Sequence, residues 1–279
     1  MIRITNTNPG QIVLTALIVT LTACNGDTAR LQGGQQNQGI EFAAAVNADL
    51  YLILGQSNSA GRDTDIDNSG ADAPSGEVLL FTDGNSFETA YQPLNRYSGV
   101  RKTTVDQGVN LGLEFGKAMH LNNGRKIHLV VNSRGGTKVA EWREDRDTGY
   151  FENTVQRVRD AEAACACKLT GILWHQGEGN VSDDGTYTNS YFSSLVDLIG
   201  EYRRELGEVP FLVGQLYRTE KNWNFNKDLQ QVDDADFEAS AVDWVTSLNL
   251  TTLDDSHFDA ASIRNLGARY ATVMQRFVE

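Results

Sequence analysis

Ser57 follows the apolar run Leu50 to Leu54 and a glycine, Gly55. A small residue there lets the chain turn sharply from strand to helix and exposes the hydroxyl that comes next. A serine is a weak nucleophile until a base takes its proton, and the base needs a carboxylate to orient it. His257 is one of 4 histidines and follows Asp254 by three residues. In a turn leading into a helix that spacing can bring the carboxylate to one ring nitrogen, fixing the tautomer and leaving the other free for Ser57. Asp255 competes with Asp254 for the orienting role. Each feature alone is also what a turn or a helix N-cap provides, so the case rests on their combination.

An acyl transfer also needs donors for the developing oxyanion. Gly135 and Gly136, in the cluster Ser133-Arg134-Gly135-Gly136-Thr137, can offer backbone N–H groups at close approach, and the Gln176 amide, in His175-Gln176-Gly177-Glu178, can offer a side-chain donor. His175 lacks a sequence-local carboxylate at useful spacing and is expected to be structural or to touch substrate. The chemistry these groups would perform together is acyl transfer through a serine, which requires no metal or organic cofactor.

These clusters must be held by elements of regular structure. From Asp49 onward short apolar runs alternate with stretches of helical period, which predicts an α/β fold: a three-layer sandwich with a central, mostly parallel sheet. Strands are expected at Leu50–Leu54, Val78–Phe81, Ile127–Asn132, Gly171–His175, Pro210–Gln215 and Val242–Ser247, and helices at Asn110–Leu121, about 187–206 and Ala260–Phe277. Ligands of such sheets bind beyond the carboxyl ends of the strands. The polar clusters after Leu54, Asn132 and Trp174, with Asp254-Asp255-Ser256-His257-Phe258 before the last helix, therefore fall on one rim. No repeat or Pro-rich linker divides residues 48–279, which are counted as one domain.

The 279 residues are 40% hydrophobic and 9% aromatic, enough for a sizeable core. A formal net charge of -13 repels phosphate backbones, so nucleic acid is not expected as a partner. Residues 1–23 have the form of a signal peptide: Arg3 as a thin basic region, the apolar run Ile12–Leu21, and Ala23 before Cys24. The run is too short to span a membrane. Leu21-Thr22-Ala23-Cys24 resembles a bacterial lipobox, which implies lipidation of Cys24, a mature N-terminus there, and a place in the cell envelope, with Asn25 favouring the outer membrane. Residues 24–47, rich in Gln, Gly and Asn, are expected to be a flexible tether. Cys165 and Cys167 are too close in sequence to make a good disulfide and are expected as structural thiols at a helix end.

Four motifs taken in order, GQSNSAG at 55–61, RGGT at 134–137, HQGEG at 175–179 and DDSHF at 254–258, resemble the SGNH hydrolase superfamily. More narrowly they are similar to the sialate O-acetylesterase domain and carbohydrate esterase family six. The resemblance implies a flavodoxin-like sheet, Ser57 as nucleophile, and Asp254 with His257 completing the triad in an Asp-x-x-His pattern. It further implies that the N–H groups of Ser57 and of Gly135 or Gly136, with Gln176, form the oxyanion hole. An acetylated carbohydrate is the implied substrate. Gln56, Asn58, Thr137, Trp142 and Glu178 are expected to contact it, and Trp223 is a second candidate for stacking on a sugar. A non-catalytic carbohydrate-binding lipoprotein and an SGNH lipase or thioesterase are the alternatives.

Overall fold

The computed structural model describes residues 47–187, 190–233 and 240–278. The proposed signal peptide, Cys24 and all of the expected tether but Asn47 lie outside them.

The expected parallel sheet is present with seven strands: β1 Ala48–Gly55, β2 Val78–Phe81, β3 Phe87–Thr89, β4 Lys126–Ser133, β5 Leu169–His175, β6 Phe211–Gly214 and β7 Val242–Val245. Their order is β3-β2-β4-β1-β5-β6-β7. Every pairing is parallel except β2 with β3. β1 is buried along its whole length because it pairs with β4 on one side and β5 on the other.

The period of two explains the layers. Leu50, Leu52 and Leu54 join one core, while Tyr51 and Ile53 join the other. Helices α3 (Tyr150–Cys165) and α4 (Ser190–Leu206) cover the first face; α2 (Gly112–Asn123) and α6 (Ala260–Met274) cover the second. Among the described residues there are also two short α-helices, α1 at Ser57–Ala60 and α5 at Trp223–Leu229. A fully buried Leu, Ile or Phe stabilises by about 1.5–3 kcal/mol, so the two apolar layers fix the sheet, and the sheet fixes its rim.

Several boundaries differ from the sequence expectation. Asn110 stays outside α2, whose N-cap is Leu111, and its Oδ1 accepts the Gly112 N–H at 2.8 Å just before the helix. The last helix stops at Met274, short of Phe277. α5 and β3, a three-residue edge strand, lie outside the expected elements, and of α3 only its end at the cysteines is expected from the sequence. In α3 the buried stripe Phe151, Val155, Val158 and Ala161 is narrow and broken up by charged residues, which hides its period.

The cysteines correct the expectation of free thiols: Cys165 and Cys167 form a disulfide, with Cα atoms 5.2 Å apart. Cys165 does end a helix, but Ala166 takes a left-handed conformation at φ 50° and turns the chain back on itself. The divergence of side chains assumed for a regular element therefore does not apply.

Candidate active site

Adjacent strands β4, β1 and β5 deliver the three glycine-containing clusters side by side. Gly55 ends β1 at φ 130°, and a Cβ there would lie 2.0 Å from the His175 carbonyl oxygen, so only glycine lets the chain pass. The Gln56 N–H then donates to that same carbonyl at 3.0 Å, and α1 starts with Ser57 at its first position. His257 arrives from the loop before α6. Its Nε2 lies 3.0 Å from Ser57 Oγ, and its Nδ1 lies 2.7 Å from Asp254 Oδ2.

Asp254 reaches the ring because its own turn is pinned. Its Oδ1 accepts the N–H groups of Ser256 and His257, both at 2.7 Å, which leaves Oδ2 for the imidazole. Burial pushes the carboxyl up, but the hydrogen bonds from the His257 ring, the His257 N–H and the Ser256 N–H outweigh it and hold Asp254 below the usual aspartate range. A carboxylate accepting at Nδ1 fixes that nitrogen as the protonated one, so Nε2 presents its lone pair to the serine. Asp255, exposed beside it, does not take this position.

Gly135 lies against Ser57: a Cβ on it would be 3.4 Å from Ser57 Cβ and 2.2 Å from Arg62 Nη2. Gly136, at φ 74°, instead approaches Lys102 Nζ, 3.0 Å from where its Cβ would be. Two cations thus flank the glycine turn. Burial lowers the Arg62 pKa from its ordinary value, and its Nη1 donates to the Gly61 carbonyl at 2.8 Å. Neither residue was singled out from the sequence, because nothing local distinguishes a cation that folds back over a distant glycine from one that faces solvent.

Other expected site residues turn out to be framework. Gln176 is fully buried, and its Nε2 faces Gln56 Oε1 at 3.2 Å, Thr137 O at 2.8 Å and Asn180 Oδ1 at 2.9 Å. Two hydrogens already confront three acceptors, so the amide has no donor left for an oxyanion and ties the three clusters together instead. Gln56, 4% exposed, also accepts the Gly179 N–H at 3.1 Å. Thr137 donates to Arg134 O at 3.1 Å and accepts from Trp142 Nε1 at 2.9 Å. Trp142 is fully buried against Trp174, so it cannot stack on a sugar. These four are corrected from substrate or oxyanion contacts to supports of the loops.

Asn58 is likewise buried and bonded inward, to Glu178, Ser256 and Phe258. Part of Glu178 meets solvent, but its Oε2 is enclosed without a partner, and burial pushes its carboxyl above the usual glutamate range. His175 is structural, as one of its two expected roles required. It is buried, desolvation pushes its pKa down to about 3, and its Nδ1 meets the Tyr270 hydroxyl at 3.2 Å. A neutral imidazole at this depth cannot serve as a base for Ser57.

Trp223 behaves differently. It is 63% exposed and lines a groove of about 140 Å³ with Arg218, Thr219 and Lys227. The loop leading to it passes Tyr217, whose ring packs on Phe258 at 6.1 Å, next to His257. Among the described residues no group of three His, Cys, Asp or Glu side chains is placed to hold a metal ion, and no helix is long and apolar enough to cross a membrane.

The family profile described as carbohydrate esterase, sialic acid-specific acetylesterase matches residues 47–276. No curated protein sequence matches the chain. A crystal structure of a protein from Arabidopsis thaliana superposes with a TM-score of 0.70 at 23% identity, covering 83% of this chain and 99% of its own. A carbohydrate acetylesterase from Xanthomonas citri gives 0.61 at 18% identity over 82% of this chain and 56% of its own. A GDSL-like protein from Parabacteroides merdae gives 0.51 at 12% identity, covering 81% of this chain and 95% of its own. At these identities the structures establish a shared fold.

Proposed function

The chain belongs to the carbohydrate esterase family of sialic acid-specific acetylesterases, and from that premise we propose that it hydrolyses O-acetyl esters of carbohydrates by serine acyl transfer. The observation that carries the reading is the run of contacts Asp254 Oδ2 to His257 Nδ1 at 2.7 Å and His257 Nε2 to Ser57 Oγ at 3.0 Å.

His257 Nε2 takes the Ser57 proton as Oγ attacks the acetyl carbonyl. The negative charge that forms is held by the Ser57 N–H and the Gly135 N–H, with Gly135 chosen over Gly136 because it is the one beside Ser57. His257 then hands its proton to the leaving sugar oxygen. Water, deprotonated by the same nitrogen, attacks the acyl-enzyme, and His257 returns that proton to Ser57 Oγ as the serine leaves and acetic acid is released.

Trp223 is the sugar platform in this reading. An exposed indole beside polar and cationic groups, on the rim that carries His257, suits the apolar face and hydroxyl edge of a pyranose better than it suits an acyl chain. That favours a carbohydrate ester over the lipase alternative. The Xanthomonas citri neighbour, named a carbohydrate acetylesterase, is consistent with it.

Ser57→Ala tests the proposal. Loss of 4-nitrophenyl acetate hydrolysis with an unchanged circular dichroism spectrum is the expected result; a variant keeping more than a few per cent of the wild-type rate removes Ser57 from its role. For the N-terminus we propose export and lipidation at Cys24, on the strength of Leu21-Thr22-Ala23-Cys24 after the apolar run. Cys24→Ser should move the protein out of the membrane fraction, and a wild-type protein found wholly soluble would contradict the anchor.

A further inference from the structure

Asn58 follows the nucleophile directly, and all of its side-chain polar atoms point away from solvent; the residue is 2% exposed. Its Oδ1 accepts the Phe258 N–H at 3.0 Å, and its Nδ2 donates to the Ser256 carbonyl at 3.0 Å. The two partners are the residues on either side of His257. One amide therefore grips the base-bearing turn at both flanks while its own backbone carries Ser57 at the preceding position. Its second Nδ2 hydrogen goes to Glu178 Oε1 at 2.5 Å. That acceptor settles which way the amide faces, because a flipped Asn58 would set its oxygen against a carboxylate and a carbonyl.

The turn needs such a grip. Residues 253–256 are exposed, and the internal bonds of the loop, Leu253 N–H to His257 O and the two N–H groups on Asp254, fix its shape but not its place on the sheet. Placement comes from the buried Phe258 ring, from Asn58 and, at the start of α6, from Asp63, whose Oδ2 accepts the Ala260 N–H at 2.7 Å. An angular drift of the turn would lengthen the 3.0 Å contact between His257 Nε2 and Ser57 Oγ without unfolding anything.

We propose that Asn58 and Glu178 are positioning residues: Glu178 orients the Asn58 amide, and Asn58 holds His257 in register with the nucleophile. The inference rests on the reading of Ser57 and His257 as nucleophile and base. Ser57→Ala decides that reading separately, since it leaves the Asn58 bonds in place. A substrate contact would act on KM; a positioning device acts on kcat, because displacing a reacting group by about 1 Å costs up to ~10²-fold.

The test measures kcat and KM on 4-nitrophenyl acetate, with folding checked by circular dichroism. Asn58→Ala should lower kcat by about 10- to 100-fold and leave KM within about twofold. Asn58→Asp keeps the bond from Phe258 but cannot donate to Ser256 or Glu178, and it sets two carboxylates together, so kcat should fall as well. Adding Glu178→Gln to Asn58→Asp lets the new amide donate to the new carboxylate, which should restore about tenfold, the worth of one charge-assisted hydrogen bond. Glu178→Gln alone keeps an acceptor for Asn58 and should stay within about threefold of wild type, whereas Glu178→Ala should fall further. A raised KM with unchanged kcat in Asn58→Ala makes Asn58 a substrate contact and overturns the proposal. So does a double variant no better than Asn58→Asp, and this pair decides the matter if Asn58→Ala fails to fold. Equal losses in Glu178→Gln and Glu178→Ala would show that Glu178 acts through its charge and would remove it from the device.

Discussion

Arg62 Nη2 fills the space that a Cβ on Gly135 would need, 2.2 Å from the ideal position of that atom. Gly135 has no positive φ, so what its missing Cβ supplies is room for a cation beside Ser57.

Gly135→Ala should therefore push the guanidinium aside and disturb the N–H proposed to hold the oxyanion. A fall in kcat/KM of about 10- to 100-fold is expected, below the ~10²–10³-fold cost of deleting a donor outright because the N–H itself remains. Combining it with Arg62→Ala removes the clash and should recover part of the loss. If the double variant shows the product of the two single losses, the two residues act independently and the clash is not what matters.

The Cys165–Cys167 bridge closes a very short loop, and the chain-entropy relation gives such a loop no more than about 2 kcal/mol. The same corner is already tied by Glu162, whose carbonyl accepts the Cys167 N–H at 3.3 Å and whose carboxylate accepts the Leu169 N–H at 3.0 Å. Replacing both cysteines by serine should lower Tm by a few degrees and leave esterase kinetics unchanged. A collapse of folding would make the bridge essential to the α3–β5 corner.

Glu178 gives a pH signature in stability. Burial raises its pKa in the folded protein above the ordinary 4.5, so the native state holds the proton more tightly than the unfolded chain. Its contribution is fully present below that ordinary value and is lost as pH rises through the raised folded value. Glu178→Gln cannot ionise. The difference in Tm should therefore shift in favour of the variant as pH climbs from about 4 towards neutrality, and then level off. A difference that stays flat across this range would mean that Glu178 ionises in the fold as easily as in water.

The sequence exposed the site more fully than its supports. Ser57, Gly135 and His257 stand in polar clusters that follow or precede apolar runs, and such punctuation survives in one dimension because strand ends and glycine turns are local. What residue type cannot say is which way a polar group faces. Gln176 suits an oxyanion hole and a loop tie equally well by its chemistry, and only the arrival of Gln56, Thr137 and Asn180 from other segments decides for the tie. Trp142 and Trp223 likewise differ in nothing but neighbours, one walled in by Trp174 and the other left 63% exposed. Arg62 escaped notice for the same reason, since its role depends on Gly135 from another strand end.

Asp254 and Asp255 allow a comparison with its own control, because either change to Asn removes one charge from the same loop. In Asp254→Asn the two backbone N–H groups, at 2.7 Å from Oδ1, should keep the amide oxygen on their side and turn the NH2 towards His257 Nδ1. A donor there forces the ring to carry its proton on Nε2, so an N–H instead of a lone pair meets Ser57. The corresponding change at a buried aspartate in a serine protease costs about 10⁴-fold. Here the Asp254 side chain is 55% exposed, and water can stand in for part of its orienting effect. A loss in kcat of about 10²- to 10⁴-fold is therefore expected for Asp254→Asn, against less than about tenfold for Asp255→Asn. The Asp254→Asn loss should shrink at high pH if hydroxide begins to replace the missing base. Equal losses at the two positions would point to loop charge instead of a specific hydrogen bond, and a larger loss at Asp255 would mean that the loop rearranges when substrate binds.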